Sequence, residues 1–190
     1  MRHAFWVGLF AAVFGFSADA QQAERLENGS RFGGWTVACE AIAVNETLCI
    51  LSQRLVRADT STVLAELVAF NSEDAGGAWI AARVPNGVFF PSGFVIGLQE
   101  SDTRLEFEWQ SCSAEICEAL LAVGPEELDL IADATDWVAG YRPEMTRDSL
   151  VFRVTLDGLE DGLVALARAL GHPGPRAATP APDTAAEVAE

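Results

Sequence analysis

The most regular pattern in the chain is Arg104-Leu105-Glu106-Phe107-Glu108-Trp109, where charged and apolar residues alternate without a break. Successive side chains of a strand point to opposite faces, so Leu105, Phe107 and Trp109 turn to a core. Arg104, Glu106 and Glu108 then turn to water. Shorter apolar or alternating runs occupy residues 35–40, 48–57, 62–70, 79–84, 93–98, 116–123, 137–142 and 150–155. Turn-forming groups separate them: Asp59-Thr60, residues 71–77, Pro85-Asn86-Gly87, Pro91-Ser92-Gly93 and Ser101-Asp102. Short strands at this spacing predict an all-β fold, mainly an antiparallel β-sandwich or barrel.

The period changes twice, predicting one or two short peripheral helices. Pro125-Glu126-Glu127-Leu128 reads as a first helical turn, with proline at its start and acids where the helix dipole favours them. Nearer the C-terminus, Leu159, Leu163, Leu166 and Leu170 mark one apolar stripe, read as core packing. Asp157, with Glu160 three residues on, predicts an N-cap and capping box there, and Gly171 with Pro173 predicts the stop.

The two ends differ in kind from this body. Arg2 and His3, an apolar stretch over residues 4–16 and Ala18-Asp19-Ala20 read as a secretory signal peptide cleaved before Gln21. That stretch is too short to span a bilayer, and no later one approaches about 18 uninterrupted apolar residues. A periplasmic or secreted protein without a transmembrane segment in its mature chain is therefore expected. Residues 172–190 alternate proline, alanine and acids and read as a disordered tail. The expected organisation is a signal peptide over 1–20, an N-terminal extension over 21–31 and one β-domain over 32–171. That body of about 140 residues is near the commonest domain size.

Chemistry is narrowed mainly by what the body lacks. Its two histidines are His3 in the leader and His172 in the tail, which removes histidine-based triads and histidine-ligated zinc. All 12 basic residues are arginine, so Ser92 and Ser149 have no lysine to activate them. A formal net charge of −16 disfavours nucleic acid and anionic membranes as partners. No cofactor is expected. Cys39 and Cys49, and Cys112 and Cys117, form an even set that favours disulfides in an exported chain. Four cysteines permit three connectivities; sequence alone does not choose, and local pairing is preferred. Each local bridge is worth roughly 2–3 kcal/mol by loop closure.

Three further groups bear on function. Glu106 and Glu108 lie about 7 Å apart along one strand, within the range of a glycosidase carboxyl pair, but they read as a solvated face. Asn71, Glu73 and Asp74 before Gly76-Gly77 read as a polar hairpin loop and not a calcium site, since the EF-hand spacing is missing. Val88-Phe89-Phe90 is framed by two Pro/Gly turns. An internal strand is its default reading, and with exposed side chains it becomes a contact patch. Trp35, Trp79, Trp109 and Trp137 read as core packing, with a binding surface as the alternative.

Taken in order, several segments resemble the invasion-associated locus B family, exported proteins of Gram-negative alphaproteobacteria. Phe32-Gly33-Gly34-Trp35-Thr36-Val37-Ala38-Cys39 looks like its entry motif. Residues 84–93, Val-Pro-Asn-Gly-Val-Phe-Phe-Pro-Ser-Gly, resemble its paired Pro/Gly turns, and Cys112 with Cys117 stands where the family has its second cysteine pair. Val154-Thr155-Leu156-Asp157-Gly158-Leu159 is similar to the strand and helix that close the family domain. The resemblance covers residues 32–168 and brings no catalytic residues with it. It implies an exported, non-enzymatic β-domain that binds an envelope or surface component, an unidentified protein. The expected contact surface is Val88, Phe89, Phe90, Arg104, Glu106 and Glu108. The alternatives are a carboxylate-based hydrolase acting on envelope glycan and a structural or stress-linked periplasmic protein.

Overall fold

In the computed structural model, residues 26–44, 46–72, 77–171 and 174–175 are described. The leader, most of the tail, and Glu73, Asp74 and Gly76 of the polar loop lie outside them. The strands are β1 (Arg31–Phe32), β2 (Trp35–Ala43), β3 (Glu46–Val56), β4 (Val63–Ser72), β5 (Gly77–Pro85), β6 (Phe94–Leu98), β7 (Arg104–Cys112), β8 (Ile116–Val123), β9 (Trp137–Tyr141) and β10 (Leu150–Arg153). They form one ten-stranded antiparallel sheet in the order β1-β2-β3-β4-β5-β8-β7-β6-β9-β10. Helix α1 (Pro125–Asp133) follows β8, and α2 (Leu159–Leu170) follows β10. The mainly antiparallel β fold with a helix near the C-terminus is as expected.

Strand β7 joins the two halves of the sheet. Its residues from Arg104 to Phe107 pair with β6, and those from Glu108 to Cys112 pair with β8. A register shift between Trp109 and Ser111 bends the strand where it changes partners. The alternation read from the sequence holds: Leu105 and Phe107 are buried, while Arg104, Glu106 and Glu108 are exposed.

The core is filled from the inner face of both halves. Trp35 and Trp137 are at most 2% exposed. Phe94 meets the ring of Phe107 edge-on at 5.1 Å and stacks on Tyr141 at 6.2 Å. Burying each such ring contributes roughly 1.5–3 kcal/mol. Strands β4 and β5 are covered on their outer face as well, where Val68 lies opposite Ala81 and the pair is buried. Phe70 opposite Trp79, and Leu120 opposite Ala81, belong to the same outer face. Trp79 and Trp109 are only half-buried, so the core-packing reading holds fully for Trp35 and Trp137 alone.

The two ends of the sheet meet at a seam. The Gly34 N–H donates to the carbonyl of Asp157 at 3.2 Å. The Gln53 Nε2 group, on a side chain only 6% exposed, donates to the carbonyls of Gly34 at 3.2 Å and Thr155 at 3.0 Å. Gly158 adopts φ 79°, and a Cβ there would lie 2.3 Å from the Phe32 carbonyl carbon. That tight passage corrects the expected cap. Gly158, not Asp157, is the N-cap of α2, because only a glycine fits against β1 in this conformation. The capping carboxylate belongs to α1, where Glu127 accepts from the Gly124 N–H at 2.9 Å.

Helix α2 lies against β1 to β4. Leu159, Leu163 and Leu166 are buried beneath it, whereas Leu170, the last of the stripe, is 43% exposed. Asn71, from the end of β4, donates through Nδ2 to the Leu163 carbonyl at 2.8 Å. Both disulfides form locally. Cys39 lies opposite Cys49 and Cys112 opposite Cys117 in neighbouring strands, with Cα atoms 4.1 and 3.9 Å apart. Among the described residues, no helix is long and apolar enough to cross a membrane.

Candidate contact surface

The connection from β5 to β6 is where the structure departs most from an internal strand. Pro85, Asn86 and Gly87 carry the chain out of β5, and Phe90–Ser92 form one 3-10 turn before Gly93 leads into β6. The Phe89 N–H donates to the Arg142 carbonyl at 2.8 Å, and the Gly93 N–H to the Phe90 carbonyl at 3.0 Å. The Ser92 hydroxyl donates to the Phe89 carbonyl at 2.8 Å and accepts from the Arg142 N–H at 3.2 Å. The segment is thus held by hydrogen bonds to its own turn and to the end of β9. Its proline removes one donor and presets the first turn position, which is why no strand forms.

Three aromatic rings and one guanidinium gather there. Val88 packs against the core, and Phe89 lies half-buried with the Arg142 guanidinium 6.0 Å from its ring centre. Phe90 is 52% exposed, its ring 5.9 Å from that of Trp109 and tilted by 60°. The Trp109 Nε1 and Arg142 Nε atoms are both enclosed and have no hydrogen-bond partner. The tilted ring contact with Trp109 supports the exposed ring, and Phe89 lies where a cation is attracted to its face.

The six residues expected at a contact surface divide into two groups. Val88, Phe89 and Phe90 belong to this aromatic edge. Arg104, Glu106 and Glu108 are exposed on β7 but project from the face opposite that of Leu105 and Phe107. Strand alternation places Trp109 on the inner side, with Phe90 leaning on it, so the two groups do not share one face. Sequence reasoning missed Trp109 and Arg142 as partners of the segment. Trp109 ends the alternating run and Arg142 ends the 137–142 run, but nothing in either run shows that both meet Phe89 and Phe90.

Glu106 and Glu108 stand side by side on one face as their spacing requires. Both are exposed to solvent and lie in no apolar enclosure. Among the described residues, the clear pKa displacement is that of Tyr141, whose phenol burial pushes above its ordinary value of 10.0. Among the described residues, no group of three or more histidine, cysteine or acidic side chains is placed to hold a metal ion.

A family model for "Invasion associated locus B (IalB) protein" matches residues 35–167, which is most of the chain. The chain belongs to the invasion-associated locus B family. A structural match supports the fold of this family member. The crystal structure of invasion associated protein b from Bartonella henselae superposes with a TM-score of 0.59 at 15% identity. The match covers 75% of this chain and 96% of that one. No curated protein matches the chain. Of the family segments, the Gly33-Gly34-Trp35 stretch builds the seam and the 84–93 stretch builds the aromatic edge. The Val154 to Leu159 stretch brings the chain back to β1 and starts α2. Two of the three make the fold close; the middle one is presented outward.

Proposed function

We propose that this invasion-associated locus B protein is a non-enzymatic binding module of the periplasm or cell exterior. It docks an envelope or surface protein through the edge formed by Phe89, Phe90 and Trp109. The observation that supports this reading most directly is Phe90. It is a large apolar ring, 52% exposed, held in place by Trp109 and by a hydrogen-bonded turn, and not left mobile on a loop. Rigid aromatic groups beside an arginine are the residue types that concentrate energy at protein contacts, because little side-chain freedom is lost on docking. Two disulfides fit an oxidising compartment. The hydrolase reading has the exposure of Glu106 and Glu108 against it. The Bartonella henselae protein is named as invasion associated, and invasion is one setting in which such a contact would act.

The test is a crosslinking pull-down with tagged residues 21–190 on the source organism's envelope, run alongside Phe90→Ser. One dominant partner, crosslinked at the aromatic edge and lost in Phe90→Ser, is the expected result. A partner captured equally by both proteins overturns the assignment of the surface. Hydrolysis of envelope glycan that depends on Glu106 or Glu108 overturns the binding-module reading itself.

A further inference from the structure

The outer face of β6 and β9 carries a hollow of about 400 Å³ that lies beside the aromatic edge and shares Ser92 and Arg142 with it. Its floor follows from cross-strand register. Gly97 lies between Arg104 of β7 and Val138 of β9, and Gly140 lies between Val95 of β6 and Val151 of β10. Two glycines on adjoining strands leave the sheet backbone open just where side chains would otherwise fill the face.

The charge around this hollow is opposite to that of the chain. The sequence has 28 acids against 12 arginines, yet no acid is among the residues lining the hollow, and Arg104 and Arg142 both are. Glu106 shares this face by register, opposite Val95, but does not line the hollow; Arg153 sits opposite Val138. Among the described residues, the two ion pairs are Arg83 with Glu118 and Arg147 with Glu144, so neither lining arginine is neutralised. The Arg142 Nε atom is enclosed and has no acceptor. An enclosed guanidinium N–H without an acceptor is costly, and a bound anion removes that cost. Ser92, Ser101, Thr103, Ser149 and Gln99 add uncharged polar groups to the lining.

We propose that this hollow binds a small oxyanion-bearing ligand, a carboxylate or phosphate, held between Arg104 and Arg142 over the Gly97 and Gly140 backbone. The planar guanidinium fork matches both oxyanions and takes them in two parallel hydrogen bonds. Arg142 is set for this by its backbone N–H on Ser92 and its packing on Phe89. The local positive charge admits a small anion here, while the net negative charge of the molecule selects against large polyanions. The hollow adjoins the aromatic edge through Ser92 and Arg142, while Phe90 itself does not line it.

Amide NMR titration of residues 21–190 tests it, with inorganic phosphate in one arm and succinate in the other, each against sodium chloride at equal ionic strength. Saturable shifts centred on the Gly97 and Gly140 amides are expected in at least one arm, and the stronger arm identifies the oxyanion. Arg104→Gln and Arg142→Gln are each expected to weaken binding about tenfold. Arg57→Gln, on the exposed turn after β3, and Phe90→Ser are expected to leave it unchanged. Shifts that never saturate, that spread over arginines elsewhere, or that persist in Arg104→Gln overturn the proposal. Arg104 is exposed, so this variant reports even if Arg142→Gln does not fold.

Discussion

At the seam, an added Cβ on Gly33 would lie 2.3 Å from the Asp157 carbonyl oxygen, and one on Gly158 would lie 2.3 Å from the Phe32 carbonyl carbon. On the outer face of β6 and β9, the nearest atoms to such a Cβ are the Thr103 carbonyl oxygen at 3.2 Å from Gly97 and the Leu150 carbonyl oxygen at 3.1 Å from Gly140. The first distances are collisions with backbone; the second need the neighbour to give by a few tenths of an ångström. The same missing side chain therefore has two meanings. At the seam glycine is required for the chain to close, and on the outer face it leaves room. One region concerns whether the protein folds, the other what its surface can hold.

The comparison breaks first at Gly158. Gly158→Ala combines a left-handed backbone with a backbone collision, and about 3 kcal/mol or more of stability is expected to go. Urea unfolding midpoints measure it; a loss below about 1 kcal/mol would remove the seam from the account. Next is the Cys39→Ala/Cys49→Ala pair, which releases a constraint away from both glycine regions. Its expected cost is roughly 2–3 kcal/mol from loop closure, read in the same unfolding series. A cost larger than that of Gly158→Ala would put the main constraint in the hairpin and not at the seam.

Gly97→Ala carries the opposite expectation. Stability should stay within about 1 kcal/mol of the parent, because alanine loses less backbone freedom on folding than glycine and the neighbour has only to shift slightly. Phosphate or succinate shifts at Gly140 should nonetheless weaken. A stability loss equal to that of Gly158→Ala would erase the distinction between the regions. The smallest effect is expected at Tyr141, beside Gly140. Burial raises the phenol above 10.0, so the folded state holds this proton more tightly than the unfolded chain. Its contribution is complete below pH 10 and is lost as pH rises through the raised folded value. Parent protein should therefore lose stability more steeply above pH 10 than Tyr141→Phe, followed by fluorescence-detected unfolding across that range.

Much of the fold was legible because it rests on local pattern. The two-residue period placed the side chains from Arg104 to Trp109 on the correct faces of β7, and the leucine spacing located α2. Both disulfides close across neighbouring strands, so nearness in sequence was a sound guide. What escaped depends on residues far apart. Asp157 looked like a helix cap because its spacing to Glu160 is that of a capping box. The approach of Phe32 from the other end of the chain makes Gly158 the cap instead. Asn71 read as part of a polar loop, yet its side chain holds α2. The candidate surface split for the same reason: Phe90 finds Trp109 by tertiary packing, while Glu106 and Glu108 stay on the far side of β7. The arginine-lined hollow has no sequence signal of its own, since register alone brings Gly97, Val138 and Arg104 together.

The Gln53 bridge at the seam has a consequence for the order of folding. Most neighbours in the sheet are joined by short hairpins, which close quickly, whereas Gln53 reaches Thr155 across 102 positions of the chain. Contacts so distant come late, after the local strands have paired, because their loop entropy has to be overcome first. Interactions formed after the rate-limiting step change the unfolding rate and leave the folding rate nearly alone. The seam is therefore expected to govern how long a folded molecule lasts, not how quickly one is made.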